Sequence, residues 1–548
     1  MQRKSSQWTI RNETLLPFFL FLLFLGVSLP GVQWGAPALW NPDELVWRVD
    51  MALNGNMIFD ETEPDFNYPS LPKYVMYAIG LVTYDLLGKS SFAFIVAARA
   101  FSAFLGALSG VLIYYLARRM GANKRTSALA GLLYIAGGVA AANARFAHND
   151  LYLQFFTILC VFFVVKYQYS RMPWWWYASF FAVGLAASSK YTGGSIILLP
   201  VIVYLVMHWS EIRASWLSMA GRLVLGGVVS FLGYGLGTPK ALFAPVYYFT
   251  SVIPFLRNYP QYGFNSGAQI GLFGQWQVFE NAVGAFVYWV FIIAFLWFVV
   301  KLVLWRFVKV KFDRGQAQAV FALLLTVLIF DLPFMVSINY IPRYFIPFVP
   351  FLAILGALFI REILDLANDW NWKVMSYAVG LLLFVGISHA LLRLASTALL
   401  FMNDARIPAS EYIAAVRGYG KSIEYTLYPP VIEKRRFMRA HNYPIYFVKY
   451  PTDVVPRGGR YEYNQGEQGL LERGTDYFVI DSYTYDRFYT DTVCETNPVE
   501  CDFFKRLLAG EVTSYRLIRE FSYELPAFLP GVWVSAVNPD IKIYERMP

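Results

Sequence analysis

Twelve runs of mostly apolar residues, each close to the length of a membrane-spanning helix, occupy most of the first 400 residues of this chain. A helix that crosses a bilayer needs about 20 predominantly apolar residues. The runs lie near residues 14–33, 71–87, 92–117, 126–143, 150–168, 174–189, 192–209, 220–237, 281–304, 317–337, 344–361 and 375–398. Only 15% of all residues are charged, whereas a soluble domain carries about 25%. The pattern predicts a polytopic α-helical membrane protein.

Basic residues between the runs indicate which side of the membrane each loop faces. If all twelve runs cross and the N-terminal "MQRK" is inside, the basic loop "RRMGANKR" lies outside, against the preference of Lys and Arg for the cytoplasm. Treating 71–87 as an interfacial or re-entrant helix restores that preference, and this run is short and carries Lys73 and Asp85. We therefore predict eleven transmembrane helices in the cell (inner or plasma) membrane, the first of them an uncleaved signal anchor.

This topology places every unusual polar cluster of the chain on the external face. It predicts a transmembrane domain over residues 1–400, with external loops at 34–91 and 238–280, and an extracytoplasmic α/β domain over residues 401–548. In the second domain "ASEYIAAVRGY" has helical spacing, while "PIYFVKY", "DYFVIDSY" and "YRLIREFSY" are rich in β-forming residues. Cys494 and Cys501 can form a disulfide in an oxidising compartment, but their spacing alone does not establish the bond.

Several classes of function find no support in the sequence. The formal charge of +9 is distributed between apolar runs rather than along one stripe, so nucleic acid is not an expected partner. No Walker A loop, dinucleotide-binding glycine fingerprint, Gly-x-Ser-x-Gly elbow or His-Glu-x-x-His motif occurs. Cys494 and Cys501 have no His nearby, so the sequence predicts no metal site. A requirement for a divalent cation is left open.

Two adjacent carboxylates, Asp43 and Glu44, follow the first apolar run in "NPDELVW". In one interpretation the acids belong to the start of a helix, with Asn41 as its cap and Pro42 at its first position. In the other, a carboxylate held at a helix start acts as a general base. The two interpretations do not conflict, and we predict Asp43 and Glu44 as catalytic residues.

Four cations and a third carboxylate share the predicted external face with these acids. They are Lys73 in "YPSLPK", Arg145 and Asp150 in "ARFAHNDLY", Lys190 in "SSKYTGG" and Arg343 in "IPRYF". Each has an ordinary structural explanation, such as a lysine anchored at the interface or an ion pair of Arg145 with Asp150. Charges beside hydrocarbon are costly, however, and Arg grips phosphate oxygens in a bidentate fork. Together the five predict a binding site for the phosphate and sugar of an anionic lipid.

In their order along the chain, these motifs resemble those of the GT-C membrane glycosyltransferases, above all the protein O-mannosyltransferases and the lipid A aminoarabinose transferases. "NPDELVW" resembles their Asp-Glu motif, and "YPSLPK" is similar to their His-Pro-Pro-Leu-Gly-Lys segment, with three of the six residues retained. "ARFAHNDLYLQFF", "GLAASSKYTGG" and "PRYFIPFVP" resemble the family's Arg-x-x-x-x-Asp, Leu-x-x-x-x-Lys-x-x-Gly and Arg-Tyr-x-x-Pro segments. "NDARIPASEYI" looks like the junction into the external domain.

The resemblance implies that a sugar passes from a polyprenyl-phosphate donor to an acceptor hydroxyl on the external face, with inversion at the anomeric carbon. Asp43 would take the proton of the hydroxyl, and Lys73, Arg145 and Arg343 would stabilise the leaving phosphate. Glu44 and Asp150 would orient these groups or the sugar. The expected partners are the bilayer, the lipid-linked donor as substrate, and an acceptor that is a protein, a lipid or a glycan.

Two other classes of protein compete with a glycosyltransferase. A transporter or lipid-handling protein tends to place charges near the bilayer midplane, often in paired halves, whereas here the charges lie at the rim and no repeat pairs the halves. An oligosaccharyltransferase or polymerase on the same scaffold would more often show a metal-binding acidic set and a longer soluble domain. The residues favour a glycosyltransferase over both.

Overall fold

The computed structural model describes residues 3–56, 68–258, 272–308, 312–335, 341–416, 418–443, 466–489, 494–495 and 498–548. The predicted strand "PIYFVKY" and parts of the predicted loops 34–91 and 238–280 lie outside these ranges. The chain forms two compact units. The first unit comprises Met1–Val32, Asp43–Arg257 and Gly271–Ala398, and the second comprises Gln33–Pro42, Asn258–Ile270 and Leu399–Pro548.

Helices make up the regular structure described as far as residue 402. They are α1 (Arg3–Ser28), α2 (Val46–Leu53), α3 (Leu71–Leu87), α4 (Ser91–Arg119), α5 (Lys124–Ala136), α6 (Val139–Asn143), α7 (Asp150–Ser170), α8 (Pro173–Ser189), α9 (Leu198–Met207), α10 (Ile212–Gly237), α11 (Lys240–Phe243), α12 (Pro245–Asn258), α13 (Leu272–Val283), α14 (Ala285–Val308), α15 (Arg314–Met335), α16 (Val349–Asp369) and α17 (Lys373–Met402). Short 3₁₀ helices occur at Tyr191–Ile197, Trp209–Glu211 and Pro342–Phe345.

Among the described residues, six helical segments are long and apolar enough to cross a membrane. They are Ser91–Arg119, Asp150–Ser170, Ala214–Gly237, Ala285–Val308, Arg314–Pro333 and Lys373–Ala415. Helix α3 has 17 residues and is not among the six, in keeping with an interfacial or re-entrant helix. The predicted fold class, a polytopic α-helical membrane protein with a C-terminal α/β domain, is confirmed. The number of eleven crossings stays a prediction.

Three predicted spans are interrupted close to the residues expected to form the site. The run near 126–143 divides into α5 and α6 at two glycines, and Gly138 has a φ of +73°, which glycine adopts without the usual steric cost. The run near 192–209 begins as a 3₁₀ helix after the extended backbone of Lys190. Helix α16 begins at Val349 and follows a separate 3₁₀ turn. Hydropathy predicted continuous helices, and the prediction is wrong at these three places.

A five-stranded sheet forms the centre of the second unit, in the order β2-β1-β3-β5-β4. The strands β1, β2 and β3 are parallel, and β5 pairs antiparallel with both β3 and β4. Among the described residues, helices precede β1 and lie between β2 and β3 and between β3 and β4. The elements are α18 (Arg406–Ala415), β1 (Ser422–Tyr425), β2 (Arg439–Asn442), α19 (Gly466–Glu472), β3 (Tyr477–Asp481), α20 (Ser482–Tyr485), α21 (Pro498–Leu508), β4 (Tyr515–Phe521) and β5 (Ile541–Arg546).

Strand β3 explains why the sheet is covered on both faces. Its residues are all buried, and successive side chains of a strand point to opposite faces. Tyr477 and Val479 pack into a core with Ile413 of α18. Phe478, between them, packs into a second core with α21. The helix and strands predicted from "ASEYIAAVRGY", "DYFVIDSY" and "YRLIREFSY" correspond to α18, β3 and β4.

Cys494 and Cys501 are joined by a disulfide, the pairing that the sequence left open, while Cys160 is a buried free thiol. Disulfides persist in oxidising compartments. We expect alkylation of the denatured, unreduced protein to modify Cys160 alone, and alkylation after reduction to modify all three thiols. Intact-mass measurement distinguishes the two patterns. Three reactive thiols before reduction would contradict the disulfide.

A short segment from near the N-terminus belongs to the second unit. Trp34 Nε1 donates to Asp404 Oδ2 over 2.8 Å, and Arg406 pairs with the same oxygen over 2.7 Å. The guanidinium carbon of Arg406 lies 5.0 Å from the ring centroid of Trp34 and 4.4 Å from that of Trp40. All four side chains are buried. The junction "NDARIPASEYI" therefore holds the segment that leads into the predicted catalytic acids.

Candidate active site

The loop between α6 and α7 is fixed through both backbone polar groups of one residue, Ala147. The backbone N–H of Ala147 donates to Glu44 Oε2 over 3.0 Å, and its carbonyl accepts from the N–H of Leu45 over 3.1 Å. Glu44 also accepts Arg99 Nε and Nη2 over 2.9 and 2.7 Å, and both charged side chains are fully buried. Glu44 therefore ties its own loop to α4 and to the loop that carries His148.

The start of α2 differs from the prediction made for "NPDE". The helix begins at Val46, and its N-cap position is Leu45, without a side-chain cap. Asn41 is therefore not the cap, Pro42 is not the first helical residue, and that prediction is wrong. The long-range contacts of Glu44 and Leu45 fix the chain in a turn, and tertiary contacts of this kind override local helix preferences.

Asp43 and Arg343 come together although 300 residues separate them. Arg343 Nη2 donates to Asp43 Oδ2 over 2.7 Å, and 47% of the Asp43 side chain is exposed. Burial acts to raise the pKa of Asp43, but the charge and the hydrogen bond of Arg343 outweigh it and hold that pKa below its usual value. Asp43 is thus an ionised, accessible carboxylate beside a guanidinium.

Asp150, the first residue of α7, is the centre of a second cluster. Lys190 Nζ lies 2.7 Å from Asp150 Oδ1, and His148 Nδ1 lies 2.7 Å from Oδ2. Burial lowers the pKa of His148, with help from the charges of Arg343 and Lys190, and this outweighs the opposing effect of Asp150. His148 is therefore neutral at pH 7. The charge of Asp150 also acts on Asp43, so the two clusters form one polar site.

Hydrogen bonds to neighbouring elements hold the site in place. Gln154, one turn after Asp150 on α7, donates from Nε2 to the carbonyl of Ile346 over 2.8 Å, which fixes the 3₁₀ turn that carries Arg343. Asn149 donates from Nδ2 to the carbonyl of Ser189 over 3.0 Å, which fixes the end of α8 just before Lys190. Each of these bonds joins residues that are far apart in sequence, so the hydropathy pattern could not predict them.

Two aromatic rings border the charged groups. Tyr68, from the "YPSLPK" motif, packs edge to face on His148 with the ring centroids 5.5 Å apart. Lys190 Nζ lies 5.1 Å from the ring centroid of Tyr344, within the range of a cation–π interaction. Tyr68 differs from the histidine of the family's motif, and in this chain it contacts a histidine supplied by another loop.

Lys73 lies in the first turn of α3, two positions after the helix begins. Its side chain is only 4% exposed, so it is not a lysine that reaches into solvent at an interface. The segment that leads into α3 also contains Tyr68, which contacts His148. The predicted role of Lys73 as a phosphate ligand stays a prediction.

Arg145 does not pair with Asp150, contrary to the ion pair considered from the sequence. Its Nε, Nη1 and Nη2 donate to the carbonyls of Pro30, Ala141 and Val27 over 2.7, 2.9 and 2.6 Å. The last carbonyls of a helix lack partners within that helix, and Arg145 satisfies one of them, Val27, near the end of α1. These contacts give Arg145 a structural role. Its predicted role in binding the lipid-linked sugar donor stays a prediction.

The structure brings together four of the seven predicted site residues: Asp43, Asp150, Lys190 and Arg343. Glu44 fixes the neighbouring loop through its bonds to Arg99 and Ala147. Arg145 instead donates to a carbonyl near the end of α1. His148, which contacts Asp150, and Arg99, the partner of Glu44, were not among the predicted site residues. A lone arginine within an apolar run is a signal that could have identified Arg99.

The arrangement can perform proton transfer and bind an anion. It offers one accessible carboxylate, Asp43, and two cations, Arg343 and Lys190, each balanced by an acid. A general base needs such an accessible carboxylate, and a phosphate needs cations with N–H donors. Within the part of the chain that the structure describes, no group of three His, Cys, Asp or Glu side chains is placed to hold a metal ion.

Residues 51–237 match the model of the dolichyl-phosphate-mannose-protein mannosyltransferase family. That range contains Lys73, Arg145, Asp150 and Lys190. An uncharacterized protein of Aquifex aeolicus (strain VF5) is 28% identical over 191 residues, which are 34% of this chain and 37% of that protein. The chain thus spans little more than a third of the length of the curated relative it matches. The resemblance to the O-mannosyltransferases is confirmed by the family match, which supports glycosyltransferase activity.

Solved structures of GT-C glycosyltransferases are similar over almost the whole chain. ArnT from Cupriavidus metallidurans bound to undecaprenyl phosphate is 14% identical, with 97% of each chain covered and a TM-score of 0.48. The oligosaccharyltransferase AglB from Archaeoglobus fulgidus, in complex with an inhibitory peptide and a dolichol-phosphate, is 10% identical, with 97% of this chain and 88% of that chain covered and a TM-score of 0.48.

Proposed function

We propose that this protein transfers a sugar from a polyprenyl-phosphate donor to an acceptor hydroxyl, with Asp43 as the general base. The observation that carries the proposal is the pairing of Asp43, half exposed and ionised, with Arg343 beside the Asp150–Lys190 pair. The match of residues 51–237 to a family of lipid-phosphate-sugar transferases supports it. So do the polyprenyl phosphates named with two of the similar structures.

The reaction is a direct displacement at the anomeric carbon. The acceptor oxygen forms a bond to that carbon as Asp43 takes its proton, and the bond from the carbon to the phosphate oxygen breaks on the opposite face. The configuration therefore inverts. The leaving group is a phosphate of low basicity, so it needs no protonation, and Arg343 and Lys190 stabilise the charge that develops on it.

Arg343 links donor binding to the strength of the base. In the structure its guanidinium donates to Asp43 and lowers the pKa of that carboxyl. A donor phosphate that attracts Arg343 shares this guanidinium with Asp43, and the pKa of Asp43 then rises. The base therefore becomes stronger when the donor is present, because a carboxylate that loses a cationic partner binds protons more tightly.

The proposal is tested in membranes that contain the protein, supplied with a radiolabelled polyprenyl-phosphate sugar. We expect label to leave the lipid fraction and to appear in an acceptor, and we expect no such transfer in membranes that lack the protein. A transporter or lipid-handling protein would move the intact donor across the bilayer without transfer. An oligosaccharyltransferase would require a preassembled oligosaccharide and would leave a single labelled sugar on its lipid.

Replacing Arg343 with glutamine should move the acid side of the pH–rate profile to higher pH. In the wild type, Arg343 holds the pKa of Asp43 low, so the base stays ionised as the pH falls. Without the guanidinium, burial and Asp150 raise that pKa, and the base is protonated at a higher pH. The profile is measured on initial rates, each normalised to its maximum. Arg125→Gln, at an exposed position in the first turn of α5, should leave the profile unchanged.

We propose that the site faces the extracytoplasmic side. The native cysteines give little background for labelling, since Cys160 is buried and the other two are in a disulfide. In intact cells, an impermeant maleimide should label Tyr419→Cys, at a position that is 99% exposed, and should not label Asn123→Cys in the basic loop before α5. Labelling of Asn123→Cys from outside, or its absence at Tyr419→Cys, would contradict this topology.

A further inference from the structure

A pocket of about 230 Å³ lies in the second unit, between the end of the Gln33–Pro42 segment and the loop that follows β1. Trp40, Tyr425 and Tyr428 supply aromatic surface, and several prolines complete the wall. No lining side chain carries a charge. The residue that follows the segment in the chain is Asp43.

One wall of the pocket is fixed by the buried side chain of Asp481. Its Oδ2 accepts from the N–H of Tyr428 over 3.0 Å and from the hydroxyl of Thr426. Further along the loop, the N–H of Val431 donates to Ser410 Oγ over 2.8 Å, which ties the loop to α18. Hydrogen bonds therefore hold this wall at both ends, so the pocket is formed before any ligand binds.

The opposite wall is centred on Trp40. A Cβ atom added to Gly35 would lie 2.7 Å from the indole ring, so only glycine permits this close approach. The guanidinium of Arg406 lies 4.4 Å from the ring centroid of Trp40, and Asp404 fixes that guanidinium in turn. The indole is thus immobilised by contacts that belong to the core of the second unit.

The wall contains a donor that its neighbours do not satisfy. Trp40 is only 8% exposed, and its indole Nε1 has no hydrogen-bond acceptor among the residues that the structure describes. A buried N–H without an acceptor costs about 1–3 kcal/mol. This N–H is not exposed in this structure, so a small local opening must precede a bond to a ligand oxygen; such a bond would remove that cost, which favours a ligand that has hydroxyl groups as well as an apolar face.

We propose that this pocket binds one uncharged sugar ring of a glycan acceptor. The proposal rests on the proposed transferase function and specifies its acceptor. Aromatic rings stack on the apolar face of a sugar, and hydroxyl oxygens supply acceptors for Trp40. The uncharged lining disfavours a phosphorylated sugar, because burial of a charge without a partner is costly. A compact cavity suits one ring, whereas an extended proline-rich peptide needs a groove.

The test uses the full-length protein in lipid nanodiscs and saturation-transfer NMR. The probes are the methyl glycosides of mannose, glucose and N-acetylglucosamine, mannose 6-phosphate as a charged counterpart, and a proline-rich peptide. Leu427→Arg puts a charge at the pocket, while Leu517→Arg makes the same change on β4; both leucines are 43% exposed. We expect at least one neutral glycoside to bind, with binding about tenfold weaker in Leu427→Arg, which corresponds to about 1.4 kcal/mol, and unchanged in Leu517→Arg.

Trp40→Phe, which removes the indole N–H and one of the two fused rings but keeps an aromatic ring, should weaken binding several-fold. The proposal is overturned if no neutral glycoside binds, if binding survives Leu427→Arg, or if the phosphorylated sugar or the peptide is the preferred ligand. Transfer from the polyprenyl-phosphate donor is measured on the same samples. If sugar transfer is intact but no glycoside binds, only the proposed sugar-binding role of the pocket is contradicted. If glycosides bind in the pocket but no sugar is transferred, only the proposed transferase function is contradicted.

Discussion

Replacing Asp43 with asparagine is expected to lower the rate of sugar transfer by about 10²–10⁴-fold, the usual contribution of a general base. The amide has nearly the same shape as the carboxylate but cannot take a proton at neutral pH. It can still accept a hydrogen bond from Arg343 through its oxygen, so the surrounding structure should persist. Single-turnover rates at saturating donor isolate this effect from donor binding.

The matched control for this experiment is Asp85→Asn, which removes an exposed carboxylate near the end of α3. Its transfer rate and thermal stability should equal those of the wild type. Asp43→Asn should likewise retain wild-type stability, because its side chain is half exposed. Transfer by Asp43→Asn at a rate close to that of the wild type would exclude Asp43 as the base. His148, whose Nδ1 lies 2.7 Å from Asp150 Oδ2, would then be the next candidate for the base.

The polar residues of the site could be found from the sequence because each one lies between apolar runs or at the edge of one. Asp43, Asp150, Lys190 and Arg343 stand out against hydrocarbon-compatible neighbours, and the side assignment placed them on one face. The pairing among them could not be found in this way. Which carboxylate pairs with which cation depends on hydrogen bonds such as the one from Gln154 to the carbonyl of Ile346. These bonds join elements that are far apart in sequence.

The sequence was least informative where local and long-range preferences conflict. "NPDE" has the composition of a capped helix start, but the contacts of Glu44 with Arg99 and Ala147 set the backbone instead. Three predicted spans also break next to the site. Hydropathy measures how apolar a run is and carries no information on where its helix ends, so turns that present polar groups within an apolar run escape it.

The sequence predicted that the chain continues into an α/β domain, and it identified one helix by its spacing and two strands by their β-forming residues. It gave no indication that residues 33–42 join that domain. Two tryptophans beside an apolar run are typical of a membrane interface, so their position in the sequence does not indicate the contacts of Trp34 and Trp40 with Asp404 and Arg406. The second unit therefore contributes to the position of the segment that precedes the proposed base.

Replacing Glu44 with glutamine should destabilise the protein by about 3–5 kcal/mol, the cost of leaving one partner of a buried ion pair alone. Glu44 and Arg99 are both fully buried, and Arg99 then has no counter-charge at this position. The free energy of unfolding is measured by denaturant titration of the purified protein in mixed micelles. Asp43→Asn, at the neighbouring position, should change this free energy little.

A double-mutant cycle separates the ion pair from other effects of the substitution. Arg99→Gln alone should cost about as much as Glu44→Gln, and the double variant should cost clearly less than the sum, since neither change then leaves a buried charge unpaired. Additive costs would show that Glu44 and Arg99 act independently. If Glu44→Gln instead has normal stability but no longer transfers sugar, Glu44 takes part in the reaction together with Asp43, as the sequence predicted.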